Sequence, residues 1–371
     1  MSCGKNHSVI LATDIYTSAD QIDLKHKDND VDKKQPLHVG EVFVMGEAKK
    51  LGVKLETMLP ISKNQQEPSS AVLLKRIGLE NEGPSSHLSA NIILTFPNQN
   101  PKIQMISCGS TFSLALDVIG IMYAWGDGSS GALGTGTYQD EIEPVRVKFD
   151  VSFKIKFINA GYFHAAAISE KGQLYTWGIG SEGQLGNKSN INTNSPKKVD
   201  FFDAGEAAFV SCGMYHTSCI DEKGFLYTWG GNKNGQLGQG DYDDRNSPAM
   251  VKFFKNFSVI YVNCGSNTTF VITDEGKIFS FGSNLNGKLA GVGVLENELM
   301  QSNTFPSPID CKLSINRLME LSDEKEAMNT ARVYQIATSN QFCLALTNKG
   351  QVITWGNNNN GCLARNHEVF H

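Results

Sequence analysis

The chain has 371 residues, 40% of them hydrophobic and 19% charged, the composition of a globular protein long enough to bury a large core, which excludes disorder as its overall state. Lys and Arg number 33 against 38 Asp and Glu, a formal net charge of −5, which argues against nucleic-acid binding through bulk positive charge. Glycine is the outlier at 36 residues, well above the roughly 7% of average usage, and signals many tight turns. No apolar run reaches the roughly 18 residues of a membrane span, and residues 1–13 lack the basic start and apolar stretch of a secretory signal. An intracellular protein, cytoplasmic or nuclear and away from membranes, is expected. The 8 cysteines, spread from Cys3 to Cys362 with no Cys-x-x-Cys, argue against a disulfide framework.

In chain order the elements repeat. MSCGKNHSVIL at 1–11 and VGEVFVMGEAKKLG at 39–52 read as one split copy around an insertion at 18–38. A second segment at about 55–100, rich in Ser, Asn, Pro and Glu, reads as another insertion. Four copies then run over 106–134, 158–186, 210–238 and 262–290, with Trp125, Trp177, Trp229 and Phe281 spaced 52 residues apart. A third insertion spans about 292–332, and its stretch 316–328 has a helical pattern with Leu318, Leu321 and Met328 near one face. A sixth copy fills 335–364 around Trp355.

Within a copy the apolar period is two, and triplets such as Glu170-Lys171-Gly172 and Glu222-Lys223-Gly224 place glycine where a hairpin needs a positive φ. A further strand is expected to follow a proline, as in Pro144–Val147, Pro196–Val199 and Pro248–Val251. About four short strands per 52 residues predict an all-β protein, a β-propeller of four-stranded antiparallel blades, with six copies counted over a single domain at 1–371. Such a unit cannot bury both faces alone, so the copies must stack around an axis.

The Cys-Gly-x-x-His-(Ser/Thr) strand start, the strand ending Tyr-x-Trp-Gly and the following Gly-x-Leu-Gly stand clearly at 160–186 and 212–238. On these motifs the chain resembles the regulator of chromosome condensation repeat family, over nearly its whole length. The resemblance implies a propeller, usually seven-bladed, against the six copies counted here. It also implies a possible activity, guanine-nucleotide exchange on the small GTPase Ran, performed by loops on one face and an inserted wedge, with no covalent chemistry. Exchange-factor members often carry acidic residues in the two slots between motif glycine and histidine. Here these slots hold Lys5-Asn6, Ser110-Thr111, Tyr162-Phe163, Met214-Tyr215, Ser266-Asn267 and Ser339-Asn340, none of them acidic.

Other motifs dissolve into the repeat. Gly178-Ile179-Gly180-Ser181-Glu182-Gly183 spells a dinucleotide fingerprint, but no helix pattern follows, and Asn232 and Asn284 break it in sister copies. Asp28-Asn29-Asp30-Val31-Asp32 begins like a calcium loop, yet Lys33 stands where that loop needs glycine and Val39 where it needs glutamate. His7, His164 and His216 share one slot that Phe112, Thr268 and Gln341 fill elsewhere, so they read as structural, as do Trp125, Trp177, Trp229, Phe281 and Trp355. No metal, cofactor or catalytic residue is expected. The reading is a monomeric protein-interaction propeller that binds a protein partner through loops on one face, with Lys5, Asn6, Tyr162, Phe163, Met214, Tyr215, Ser266 and Asn267 as contact residues. The alternative is an exchange factor for a Ran-type small GTPase. Chromatin contact is not supported by charge, since no basic tail precedes the first repeat.

Overall fold

The computed structural model describes residues 2–3, 7–11, 42–46, 92–93, 101–149, 153–202, 206–290, 302–309, 332–358 and 362–363. The insertion at 18–38, the helical stretch at 316–328, and Lys5 and Asn6 lie outside the described residues. What is described is an all-β propeller: six antiparallel sheets, five of four strands and one of three. Blade 1 comprises β1 (Ser2–Cys3), β2 (His7–Leu11), β3 (Val42–Gly46) and β4 (Ile92–Ile93). Blade 2 holds β5 (Ile103–Cys108), β6 (Phe112–Asp117), β7 (Met122–Gly126) and β8 (Glu141–Arg146). Blade 3 holds β9 (Ile155–Ala160), β10 (His164–Ser169), β11 (Leu174–Gly178) and β12 (Thr193–Lys198). Blade 4 holds β13 (Ala207–Cys212), β14 (His216–Asp221), β15 (Leu226–Gly230) and β16 (Arg245–Met250). Blade 5 holds β17 (Val259–Cys264), β18 (Thr268–Thr273), β19 (Ile278–Ser283) and β20 (Ser302–Ile309). Blade 6 has β21 (Val333–Thr338), β22 (Phe342–Thr347) and β23 (Val352–Gly356).

Each sheet runs in strand order from an innermost to an outermost strand, and the innermost strands of successive blades lie side by side. The core therefore sits between blades. One cluster joins Phe112, Leu114 and Leu133 of blade 2 to Ile158, Ala165 and Trp177 of blade 3, and three more fill the seams 3–4, 4–5 and 5–6. A blade covered on both faces explains why the second strands β6, β10, β14 and β18 are buried at every residue. Their interior positions, such as Ala165–Ile168 of HAAAIS, are accordingly small or apolar on both faces, while the polar His164, His216, Asp117 and Asp221 stand at strand ends.

Two expectations need correction. The outer strand starts before its proline: Pro196 lies inside β12, in the stretch where the register with β11 breaks. An edge strand with a bulge tolerates a residue that cannot donate a hydrogen bond. Two supposed insertions contain blade strands, since Ser302–Ile309 pairs with β19 and Ile92–Ile93 with β3. The first carries two prolines, Pro306 and Pro308, and the second is only two residues long, so neither shows an alternating pattern. The expectation of about four strands per copy holds for five sheets, and the last copy has three among the described residues.

Candidate functional site

Antiparallel order sets two ends to every blade. At one end lie the first hairpin turns (109–111, 161–163, 213–215, 265–267 and 339–341) and the long loops between third and fourth strands; at the other lie the second hairpin turns. Backbone bonds tie the first group together, Ile179 N–H donating to Phe163 O (3.0 Å) and Gly231 N–H to Tyr215 O (2.7 Å). This is the inner-loop face.

Its turns are linked from blade to blade. Tyr162 is the hub: its N–H donates to Gly213 O (3.0 Å), and its carbonyl accepts from the N–H of Ser110 (3.1 Å) and from that residue's hydroxyl (2.8 Å). Met214 N–H donates to Ser266 O (3.2 Å). The close approach needs glycine: a Cβ on Gly213 would stand 2.5 Å from both Gly265 O and His216 Nδ1. The turns are thus held in place by neighbouring blades, so the side chains they carry are pre-positioned.

Those side chains form a patch. Tyr162 and Phe163 meet edge to face at 6.0 Å, and Phe163 lies 6.0 Å from Tyr215 of the next blade. All three, with Met214, are half-buried. Beside them Lys233 Nζ meets Glu182 Oε2 at 3.0 Å, bridging the outer loops of blades 4 and 3, and Glu182 holds the ammonium above its ordinary value. Gly231, flanked by Tyr215 and Glu182, joins the ion pair to the rings. Exposed pairs of this kind add little stability, but they border an aromatic surface with charge of both signs, the composition of a protein-contact patch.

The predicted contact residues do not all belong to it. Tyr162, Phe163, Met214 and Tyr215 are brought together, and Asn267 lies half-buried on the same face. Ser266 is a correction: it is only 1% exposed, because its hydroxyl turns inward to Asn340 Oδ1 at 2.9 Å. Glu182 and Lys233 were not singled out from sequence, although opposite charges in corresponding loops of adjacent copies were a usable signal.

His164 and His216 are fully buried and neutral, burial lowering each to about 3. No group of three or more His, Cys, Asp and Glu that could hold a metal occurs among the described residues. Gly178–Gly183 leads out of β11 into a turn closed by Gly183 N–H to Gly180 O (2.8 Å), with no helix for a pyrophosphate. The tryptophans face seams: Trp177 Nε1 donates to Ala132 O (2.8 Å), Trp229 to Gln184 O (2.9 Å) and Trp355 to Lys288 O (2.7 Å), each on the preceding blade. Among the described residues no helix is long and apolar enough to cross a membrane.

Tryptophan-to-carbonyl bonds thus latch the seams of this propeller, and the loops of one face present an aromatic patch. The chain belongs to the RCC1-like domain family, whose model matches residues 1–370. It is 32% identical to the ultraviolet-B receptor UVR8 of Arabidopsis thaliana over 71% of this chain and 54% of that protein. It is 32% identical to the human E3 ubiquitin-protein ligase HERC2 over 68% of this chain and 5% of that protein. The chain thus spans about half of the receptor and a small part of the ligase. Among solved structures, human WBSCR16 superposes with a TM-score of 0.70 at 21% identity, over 98% of this chain and 77% of that one. Yeast RCC1 (Prp20), solved with Kap60, gives 0.69 at 15% identity, over 99% and 71%. Both confirm the fold.

Proposed function

We propose that this protein is an interaction propeller that binds a partner protein through its inner-loop face, with Tyr162, Phe163, Met214 and Tyr215 at the centre of contact and Asn267 at its margin, and with Lys5 and Asn6, outside the described residues, as further contact residues. The observation that supports this most is the run of three aromatic rings across the seam of blades 3 and 4, carried on turns that neighbouring blades pin. Aromatic anchors held in advance lose little entropy on binding and dominate contact energy.

Guanine-nucleotide exchange on a Ran-type GTPase is the second reading. It draws on Prp20, studied for its binding to Gsp1p and histones, whose likeness to this chain is one of fold. The turn residues here, from Ser110-Thr111 to Ser339-Asn340, include no carboxylate, which favours the first reading. Two assays separate them. In affinity capture, the partner retained by the intact protein is lost with the triple substitution Tyr162→Ala, Phe163→Ala, Tyr215→Ala. In an exchange assay, catalytic amounts leave release of labelled GDP from a Ran-type GTPase at its intrinsic rate; acceleration would establish the second reading instead.

A further inference from the structure

The opposite face carries a different surface. Here the second hairpin turns meet the segments entering the innermost strands: Val118 N–H donates to Lys102 O (2.9 Å), Ile155 N–H to Gly120 O (3.1 Å) and Glu170 N–H to Lys154 O (2.8 Å). Across blades 2 and 3 these bonds gather Lys102, Lys154, Lys156 and Lys171, all exposed, around the turn residues Val118 and Ile119, which are 49% and 57% exposed. Among the described residues none of these four lysines is in an ion pair. Three carboxylates stand among or beside them, Glu206 bordering the Lys171 turn, where Ala207 N–H donates to Gly172 O (3.0 Å), and itself paired with Lys223. Asp117 is buried, with Oδ1 accepting from Ile119 N–H (3.0 Å) and Ile121 N–H (2.7 Å) of its own turn; Glu170 is exposed beside Lys171.

On blades 4 and 5 the same face reads otherwise. Lys223 pairs with Glu206 and Lys277 with Glu275, and Glu222 and Asp274 stand exposed in the turns. Blades 2 and 3 thus set four lysines, unpaired among the described residues, around one aliphatic tip, in a chain whose net charge is −5. Lys252, Lys255, Arg332 and Lys349 are further exposed cations on this face, on the later blades, where Glu222, Asp274 and Glu275 share the turns.

We propose that this surface docks a short acidic polypeptide segment of a partner protein, an aliphatic side chain of that segment packing on Val118 and Ile119 while its carboxylates face the four lysines. Three features favour a short peptide over other polyanions. A duplex or an anionic bilayer laid across the face would meet Glu222, Asp274 and Glu275, and like charges there would oppose it. The positive groups are lysines, compact point charges that suit carboxylates in varied geometry, without the arginine forks and exposed rings of nucleic-acid surfaces. Finally, the two-residue aliphatic tip matches one or two side chains, far less than bilayer anchoring requires. The surface lies on the other face from the aromatic patch, so either proposal can fail alone.

The test is selection of a random displayed-peptide library on the full chain, followed by fluorescence anisotropy with the enriched peptides, a short DNA duplex and phosphatidylserine-containing vesicles as probes. Enrichment of sequences with Asp and Glu flanking Leu, Ile or Val is expected. Their binding should weaken by about tenfold or more, about 1.4 kcal/mol, in the quadruple variant Lys102→Glu, Lys154→Glu, Lys156→Glu, Lys171→Glu, and in its Lys→Gln counterpart should charge reversal impair folding. The control Lys252→Glu, Lys255→Glu, on the same side but outside the patch, should bind as the parent does. Val118→Ser with Ile119→Ser should weaken binding and leave its salt dependence intact. Peptides without excess acid, equal binding by the quadruple variant, or tighter binding of the duplex or the vesicles than of any acidic peptide would overturn the proposal.

Discussion

His164 and Thr217 meet across the seam of blades 3 and 4, imidazole Nε2 to hydroxyl Oγ1 at 2.9 Å, and the direction of donation follows from the next link. The Thr217 hydroxyl donates to Gln184 O at 2.8 Å, so its oxygen accepts from the ring, which must carry its proton on Nε2. His216, Thr269 and the Gln236 carbonyl repeat the relay one seam on, at 2.9 and 2.7 Å. The motif pair His-(Ser/Thr) is thus an interblade key: the histidine of one copy addresses the hydroxyl of the next.

Removing that hydroxyl leaves the buried His164 ring N–H without an acceptor and takes one of two donors from Gln184 O, which keeps Trp229. Thr217→Val keeps the side-chain shape and should cost about 1–3 kcal/mol, read as a lowered midpoint in urea unfolding. Combined with His164→Gln, the losses should be less than additive, since both remove one relay. Full additivity would show that the two residues act separately.

The same histidines predict a pH dependence. Burial holds both near 3 in the folded protein, against about 6.5 in an unfolded chain. Between these values the unfolded state binds protons that the folded state refuses, so their contribution to stability, complete above about pH 6.5, is lost as pH falls toward 3. Unfolding free energies at pH 7 and pH 4.5 should differ less in His164→Gln, His216→Gln than in the parent. Carboxylates contribute to both proteins, so the difference between the two slopes is the readout.

Phe281 occupies a tryptophan slot without an N–H to give. Gln236 O accepts from Thr269 alone among the described residues, whereas Gln184 O accepts from both Thr217 and Trp229. Gly238 faces Phe281 as Gly186 faces Trp229, so the slot has the form the larger ring uses elsewhere. Phe281→Trp should add the missing bond and stabilise by about 0.5–1.5 kcal/mol, seen as a raised Tm. A lowered Tm would mean that this seam has closed around the smaller ring.

Gly186 has φ of +67° and a Cβ there would stand 2.6 Å from Trp229 Nε1. Gly186→Ala should destabilise by about 2 kcal/mol, joining backbone strain to overpacking of the ring. Blade 5 already carries Ala290 in this slot, at φ of +47°, so Ala290→Gly should relieve strain and raise Tm slightly. The opposite signs of the two substitutions, measured by thermal melts, test whether the slot is governed by the tryptophan seam.

Much of this architecture was legible in the sequence because one physical constraint was written repeatedly. Slots that meet the same neighbour in every blade carry the same kind of residue, which is why the tryptophans, the hairpin glycines and the first three strands stand out. Legibility failed where the constraint is weak. The outer strand is an edge, so Ser302–Ile309 could keep two prolines and look like an insertion. It failed also where side-chain direction matters: Ser266 shares a slot with Met214 yet turns inward to Asn340, and no motif encodes that rotation. The polar residue before each motif Cys or Ala was overlooked, although Ser107, Asn159 and Ser211 each accept from a backbone N–H of the next blade, at 2.9, 2.7 and 2.9 Å. Charge was legible only as a sum, so the gathering of Lys102, Lys154, Lys156 and Lys171 around Val118 and Ile119 needed the fold.

The most direct test of the interaction reading is site-specific photocrosslinking in the cell of origin, with benzoylphenylalanine placed at Tyr162 or Tyr215 on the inner-loop face and, as reference, at Phe201 on the outer rim of the other end. Both inner-loop positions should capture the same partner protein, and that product should be absent from the reference position. Capture of that partner from Phe201 alone, with no product at Tyr162 or Tyr215, would contradict the account.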